Sequence, residues 1–116
     1  MRIDFPNSTA LLEHAQEKQL YGLLLVQLQK DLNLANIDFV IGPEVFPSQL
    51  KTLLHEKIYY LLLEKFTEYL NLLYIVDVPE SAFKKIHMTD AVEVAEQVTF
   101  LILRREFEKV FWKMKS

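Results

Sequence analysis

The sequence predicts an all-α protein: three long helices packed up-down-up, one short helix or irregular segment in the connectors, and a core completed by dimerisation. Three observations carry that expectation. Three windows repeat their apolar residues at the 3.6-residue period of a helix. Each window opens on a residue suited to starting a helix: Asn7 or Ser8, Pro47 or Ser48, and Asp90. Finally, 51% of the 116 residues are hydrophobic, more than three helices with one buried face each would use.

The first helix is expected over residues 8–34, where Tyr21, Leu25, Leu28 and Leu32 form one stripe. A rival pattern crosses it. Leu24, Val26, Leu28, Leu32 and Leu34 alternate with Gln27, Gln29, Asp31 and Asn33, which is the period of a strand. Lys30 interrupts that alternation, and Leu and Gln are helix formers without β-branching, so helix is the reading adopted. The connector 35–46 holds the turn signal Gly42-Pro43. The second helix is expected over residues 47–74. In the next connector, 75–88, Asp77-Val78-Pro79-Glu80 reads as the cap and first turn of a short helix running to about Ile86. Two apolar runs, 37–41 and 74–78, are short enough to be strands that pair with each other. The third helix is expected over residues 89–115, with Asp90 and Glu93 at capping-box spacing.

The second and third helices change face along their length. Leu50, Leu53, Leu54, Ile58 and Leu61 share one side. Leu62, Phe66, Tyr69, Leu70 and Leu73 share another, rotated by more than a third of a turn. In the third helix Val94, Val98, Leu101 and Ile102 give way to Leu103, Phe107, Val110, Phe111 and Met114. Either each helix bends or breaks at the changeover, or it stays continuous and serves two partners. No Gly or Pro sits at either changeover, which favours two partners. The second copy of a symmetric dimer is the simplest second partner. The interface residues expected on this basis are Phe107, Phe111, Met114, Tyr59 and Tyr60, large aromatic and Met side chains of the kind enriched at interface cores.

Bulk properties narrow the function classes. The whole chain, residues 1–116, is expected to form a single helical domain. It has no Cys, hence no disulfide, thiolate metal site or Cys nucleophile. Its start, Met1-Arg2-Ile3-Asp4-Phe5-Pro6, lacks the features of a signal peptide, and its longest uncharged apolar stretch, 19–29, is too short to span a bilayer. A soluble, cytoplasmic protein without membrane or nucleic-acid partners is expected. The net charge is −3. The cations gathered near the C-terminus, Arg104 to Lys115, read as complements to a helix dipole.

Motifs for chemistry are sparse. His14, His55 and His87 are the three histidines, and no Glu-x-x-His or His-Glu-x-x-His occurs, so they read as solvated and no metal site is expected. The carboxylate pairs Glu13/Glu17 and Glu64/Glu68 read as helix-surface neighbours. With only Gly22 and Gly42 in the chain, a phosphate- or dinucleotide-binding loop cannot be built, and no cofactor is expected. The tyrosines need partners for their hydroxyls and so belong at core edges or interfaces. These readings converge on a non-enzymatic, homodimeric interaction module. The alternatives are a binder of a small apolar or aromatic ligand between helices, and an enzyme of unidentified chemistry.

Overall fold

The computed structural model describes residues 4–86 and 89–115. They form six helices: α1 (Ser8–Glu17), α2 (Tyr21–Leu34), α3 (Pro47–Glu64), α4 (Phe66–Val76), α5 (Glu80–Phe83) and α6 (Ala91–Lys115). No strand occurs among the described residues, and none of the helices is long and apolar enough to cross a membrane. The rival strand pattern over 24–34 is helical throughout, as is 74–76; the run 37–41 is irregular. The all-helical class is therefore as expected, but the first two long helices are each divided in two.

The first division has a specific cause. Gln19 takes a left-handed conformation, φ 58°. Its N–H donates to the Gln16 carbonyl at 3.0 Å, and the Leu20 N–H reaches back to the Ala15 carbonyl at 2.8 Å. This is a Schellman ending, and the apolar residue that follows it, Leu20, is buried against the core. The same ending closes α2, where Asn36 is left-handed and the Ile37 N–H donates to Leu32. It closes α4 as well, where Asp77 is left-handed and the Val78 N–H donates to Leu73. Ile37 and Val78 are buried like Leu20. Three chain reversals thus use Gln, Asn and Asp where glycine is the usual residue.

The second division falls at Lys65, whose φ −139° and ψ 60° leave the helical region for a single residue. Lys65 still donates to Leu61 and accepts from Tyr69. Hydrogen bonding therefore continues across this one non-helical residue, and beyond it Tyr69, Leu72, Leu73 and Val76 are buried in the core. Here the face change is a break.

In α6 the helix is continuous, and both stripes, apart from Met114, are buried within one chain. Its first half meets α3: the His55 ring lies 3.0 Å from the Val92 carbonyl. Its second half meets α1 and α2, through Phe107 against His14 and Lys109 against Asp31. The second partner expected from the sequence is the chain's own N-terminal helix pair, which the division at Gln19 folds against the end of α6. Of the residues expected at an interface, Phe107 is 0% and Phe111 8% exposed in the single chain, where they pack against the N-terminal helices.

The caps follow their sequence signals. Asn7 accepts the Ala10 N–H at 2.9 Å, and Asp90 accepts the Glu93 N–H at 2.8 Å. Pro47 opens α3 with no N–H to satisfy, and Gln49 accepts the Phe46 N–H. The connector between α2 and α3 is held by side chains. The Gln29 amide donates to the Phe39 carbonyl and accepts from the Ile41 N–H. Tyr21 donates to the Val45 carbonyl at 2.8 Å, and burial pushes its phenol up to about 12.

Candidate functional site

Two features stand out: a buried cluster of charged side chains, and an exposed apolar face. The cluster sits where α2, α4 and α6 meet. Its centre is Glu106, 0% exposed. Beside it is Asp31 on α2, also buried. Lys109, one turn along α6, donates to Asp31 at 2.7 Å and to the Ile75 carbonyl of α4 at 3.3 Å. It reaches Glu106 at 3.5 Å. Gln27 donates to Asp31 at 3.3 Å, and Lys113 donates to Gln27 at 2.8 Å.

Neither Glu106 oxygen accepts a hydrogen bond from a neighbouring donor. The one bond open to it runs to Asp31 and requires Glu106 itself to supply the proton. Burial, then the neighbouring Asp31 carboxylate, push the Glu106 carboxyl up to about 9. Asp31 moves the other way. Burial opposes its ionisation, but hydrogen bonds from Glu106, Lys109 and Gln27 and the Lys109 charge outweigh it and hold Asp31 below its usual range. A carboxylic acid beside a carboxylate is the arrangement of general acid–base pairs. This pair is buried, however, with Asp31 3% and Glu106 0% exposed, and neither residue lines any of the five principal surface cavities. The cluster's contacts join α2, α4 and α6.

A second polar tie starts from Arg105, the residue before Glu106. Arg105 donates to the Asp77 carbonyl at 3.0 Å and to its carboxylate at 3.1 Å, and also pairs with Glu108 at 3.3 Å. The left-handed end of α4 is thereby held on α6.

The exposed apolar face runs along α3 and α4. Among the described residues, 15 large apolar side chains are exposed, and seven of them lie in residues 53–74. On α4, Phe66, Leu70 and Tyr74 stand at i, i+4 and i+8 and share one side of the helix. Tyr74 is 83% exposed. The Phe66 ring stacks on Tyr69 at 5.4 Å. On α3, Tyr59, Tyr60 and Leu63 are exposed, and Lys57 lies over the Tyr60 ring. Of the residues singled out from the sequence, Tyr59 and Tyr60 lie on this face. Met114 is exposed at the far end of α6, while Phe107 and Phe111 stack on each other inside.

The remaining sequence candidates are placed as follows. His14 is half-buried rather than fully solvated, packing its ring on Phe5 and Phe107 with Nε2 buried and without a hydrogen-bond partner. His55 is half-buried on Val92. The reading of His87 lies outside the described residues. Glu13, Glu17 and Glu64 are exposed and Glu68 is half-buried. A groove of about 720 Å³ runs between the Gly42–Val45 loop and the Ser48–Glu56 side of α3. Sequence reading missed the Glu106 cluster. The one signal for it was a glutamate three residues after Leu103 and one before Phe107, on the edge of an apolar stripe. No family model, curated protein or solved structure significantly matches this chain.

Proposed function

We propose that the protein is a non-enzymatic helical interaction module that pairs with a second copy of itself through the outer face of α3 and α4. The observation that carries this reading is the run of exposed apolar side chains from Tyr59 to Tyr74. A monomer gains nothing by presenting aromatic rings to water on consecutive helices, and such patches mark contact surfaces. The choice of a second copy rests on charge. α4 contains a single charged residue, Glu68. In a two-fold contact the residues near the axis meet their own kind, so the charge-poor stretch of α4 can meet its copy with little repulsion. Tyr59, Tyr60 and Tyr74 supply rings with a polar tip, suited to an interface edge.

Leu70→Glu tests the reading. Leu70 is exposed, so the substitution leaves the protomer core intact, but it places a carboxylate at the centre of the proposed contact. Light scattering at tens of micromolar is expected to fall from the dimer mass to the monomer mass of 13.7 kDa, with helix content unchanged by circular dichroism. An identical mass for both proteins would overturn it.

A second reading, a small apolar ligand, is favoured by the groove beside Val45 and Leu53, whose volume of about 720 Å³ falls in the range of small-molecule sites. A native mass spectrum that retains an adduct of a few hundred daltons would support it over self-association.

A further inference from the structure

We propose that Glu106 is kept in its acid form in the folded protein, that its proton is shared with Asp31, and that this proton is the pin that docks α2 and α4 on α6. The inference concerns the protomer and stands whether or not the chain dimerises.

Geometry carries it. Glu106 is fully buried, yet neither of its oxygens accepts a hydrogen bond, and the nearest cation, the Lys109 ammonium 3.5 Å from Oε1, is bonded to Asp31 and Ile75 instead. With that proton present the cluster balances, Asp31 carrying one negative charge and Lys109 one positive. Without it, two buried carboxylates share the single Lys109 ammonium, and one negative charge is left uncompensated in the interior. The charged groups that face Glu106 are few. α2 brings Asp31, with the neutral Gln27 behind it. α6 brings Lys109, which is bonded to Asp31 and Ile75 and lies 3.5 Å from Glu106, and Lys113, which is bonded to Gln27, while Arg105 is turned to Asp77 and Glu108. α4 brings the Ile75 carbonyl, which adds to the demand for a cation and gives Glu106 no donor. From α3 the buried residues are Leu50, Leu54, Ile58 and Leu61, all apolar. α1 brings Leu11, Leu12, Ala15 and Ser8, with the His14 ring on Phe107. The bond from Lys113 thus reaches Asp31 only through Gln27 and is not made to Glu106.

The sign follows. Glu106 holds its proton more tightly folded, at about 9, than as a free glutamate near 4.3. Its contribution to stability is complete below the free value and is lost as pH rises through the folded one. Asp31 behaves oppositely: being held below its usual range, it contributes stability that is lost as pH falls through its folded value. The junction is therefore weakened by alkali through Glu106 and by strong acid through Asp31.

The test is a carbon-13 titration of the Glu106 side-chain carboxyl in the unmodified protein, with urea unfolding of the same protein and of Glu106→Gln. The carboxyl is expected to keep its protonated chemical shift at pH 7 and to titrate near 9. The methyl signals of Leu32, Val76 and Val110 should move with the same midpoint, while those of Leu12 and Leu54 stay. The unfolding constant of the unmodified protein, relative to Glu106→Gln, should rise about tenfold per pH unit between about 6 and 9. Titration near 4 to 5, or methyl signals of the junction that ignore the titration, would overturn the proposal. If Glu106→Gln does not fold, the carboxyl and methyl titrations of the unmodified protein decide it alone.

Discussion

Lys109 on α6 donates to Asp31 on α2 at 2.7 Å, across 78 residues of chain. The bond is about 17% exposed on the lysine side and 4% on the aspartate side, so water screens it little. With Lys109 also bonded to the end of α4, one ammonium group joins three helices. Removing one partner strands the other. Asp31→Ala is expected to cost about 3–5 kcal/mol, the usual penalty for breaking a buried pair from one side. Replacing both, as Asp31→Leu with Lys109→Met, is expected to cost less than the two single changes added. A double-mutant cycle by urea unfolding measures the difference, and additive losses would mean that the two groups do not interact.

Phe107 gives the sharpest distinction between an internal and an intermolecular contact. It meets Phe5, His14 and Phe111 within the chain, at ring separations from 5.7 to 6.2 Å. Phe107→Ala is expected to lower stability by about 3–5 kcal/mol, as deletions of buried phenylalanine do. The loss should be the same at 2 and at 200 µM (roughly the span a dimer equilibrium would reveal). Differential scanning of the variant at both concentrations checks this; a loss that shrinks at the higher concentration would return Phe107 to an interface.

The left-handed residues are also open to test. At Gln19, φ 58°, a Cβ atom is strained. Gln19→Gly relieves that strain and keeps the α1 ending, so it is expected to stabilise the protein by up to about 1 kcal/mol. The same change one residue earlier, Lys18→Gly, falls on a residue with φ −89° and gains nothing. Urea midpoints of the two variants make the comparison. A destabilised Gln19→Gly would mean that the left-handed turn is not what ends α1.

Much of the fold was legible from apolar period and capping residues. Asn7, Pro47 and Asp90 start helices where the sequence places them, and Pro79 precedes the short helix Glu80–Phe83. The two divisions were hidden for a physical reason. Chain reversal is usually announced by glycine, but Gln19 is held in its turn by tertiary packing, the burial of Leu20, which no local signal reports. Lys65 has no distinguishing chemistry at all. Its break became visible only as a rotated apolar stripe, and that stripe was ascribed to a second chain. The same misassignment moved Phe107 and Phe111 outward, because periodicity reports that a face is buried and not what buries it. The Glu106 cluster was beyond reach: its meaning depends on Asp31, 75 positions earlier in the sequence.

Self-association is the central functional claim, and sedimentation velocity of the unmodified protein addresses it most directly. At tens of micromolar and neutral pH, a species of twice the 13.7 kDa chain mass is expected, dissociating on dilution in a concentration-dependent way. A single species at the monomer mass throughout would contradict the proposal that the apolar face of α3 and α4 meets a second copy.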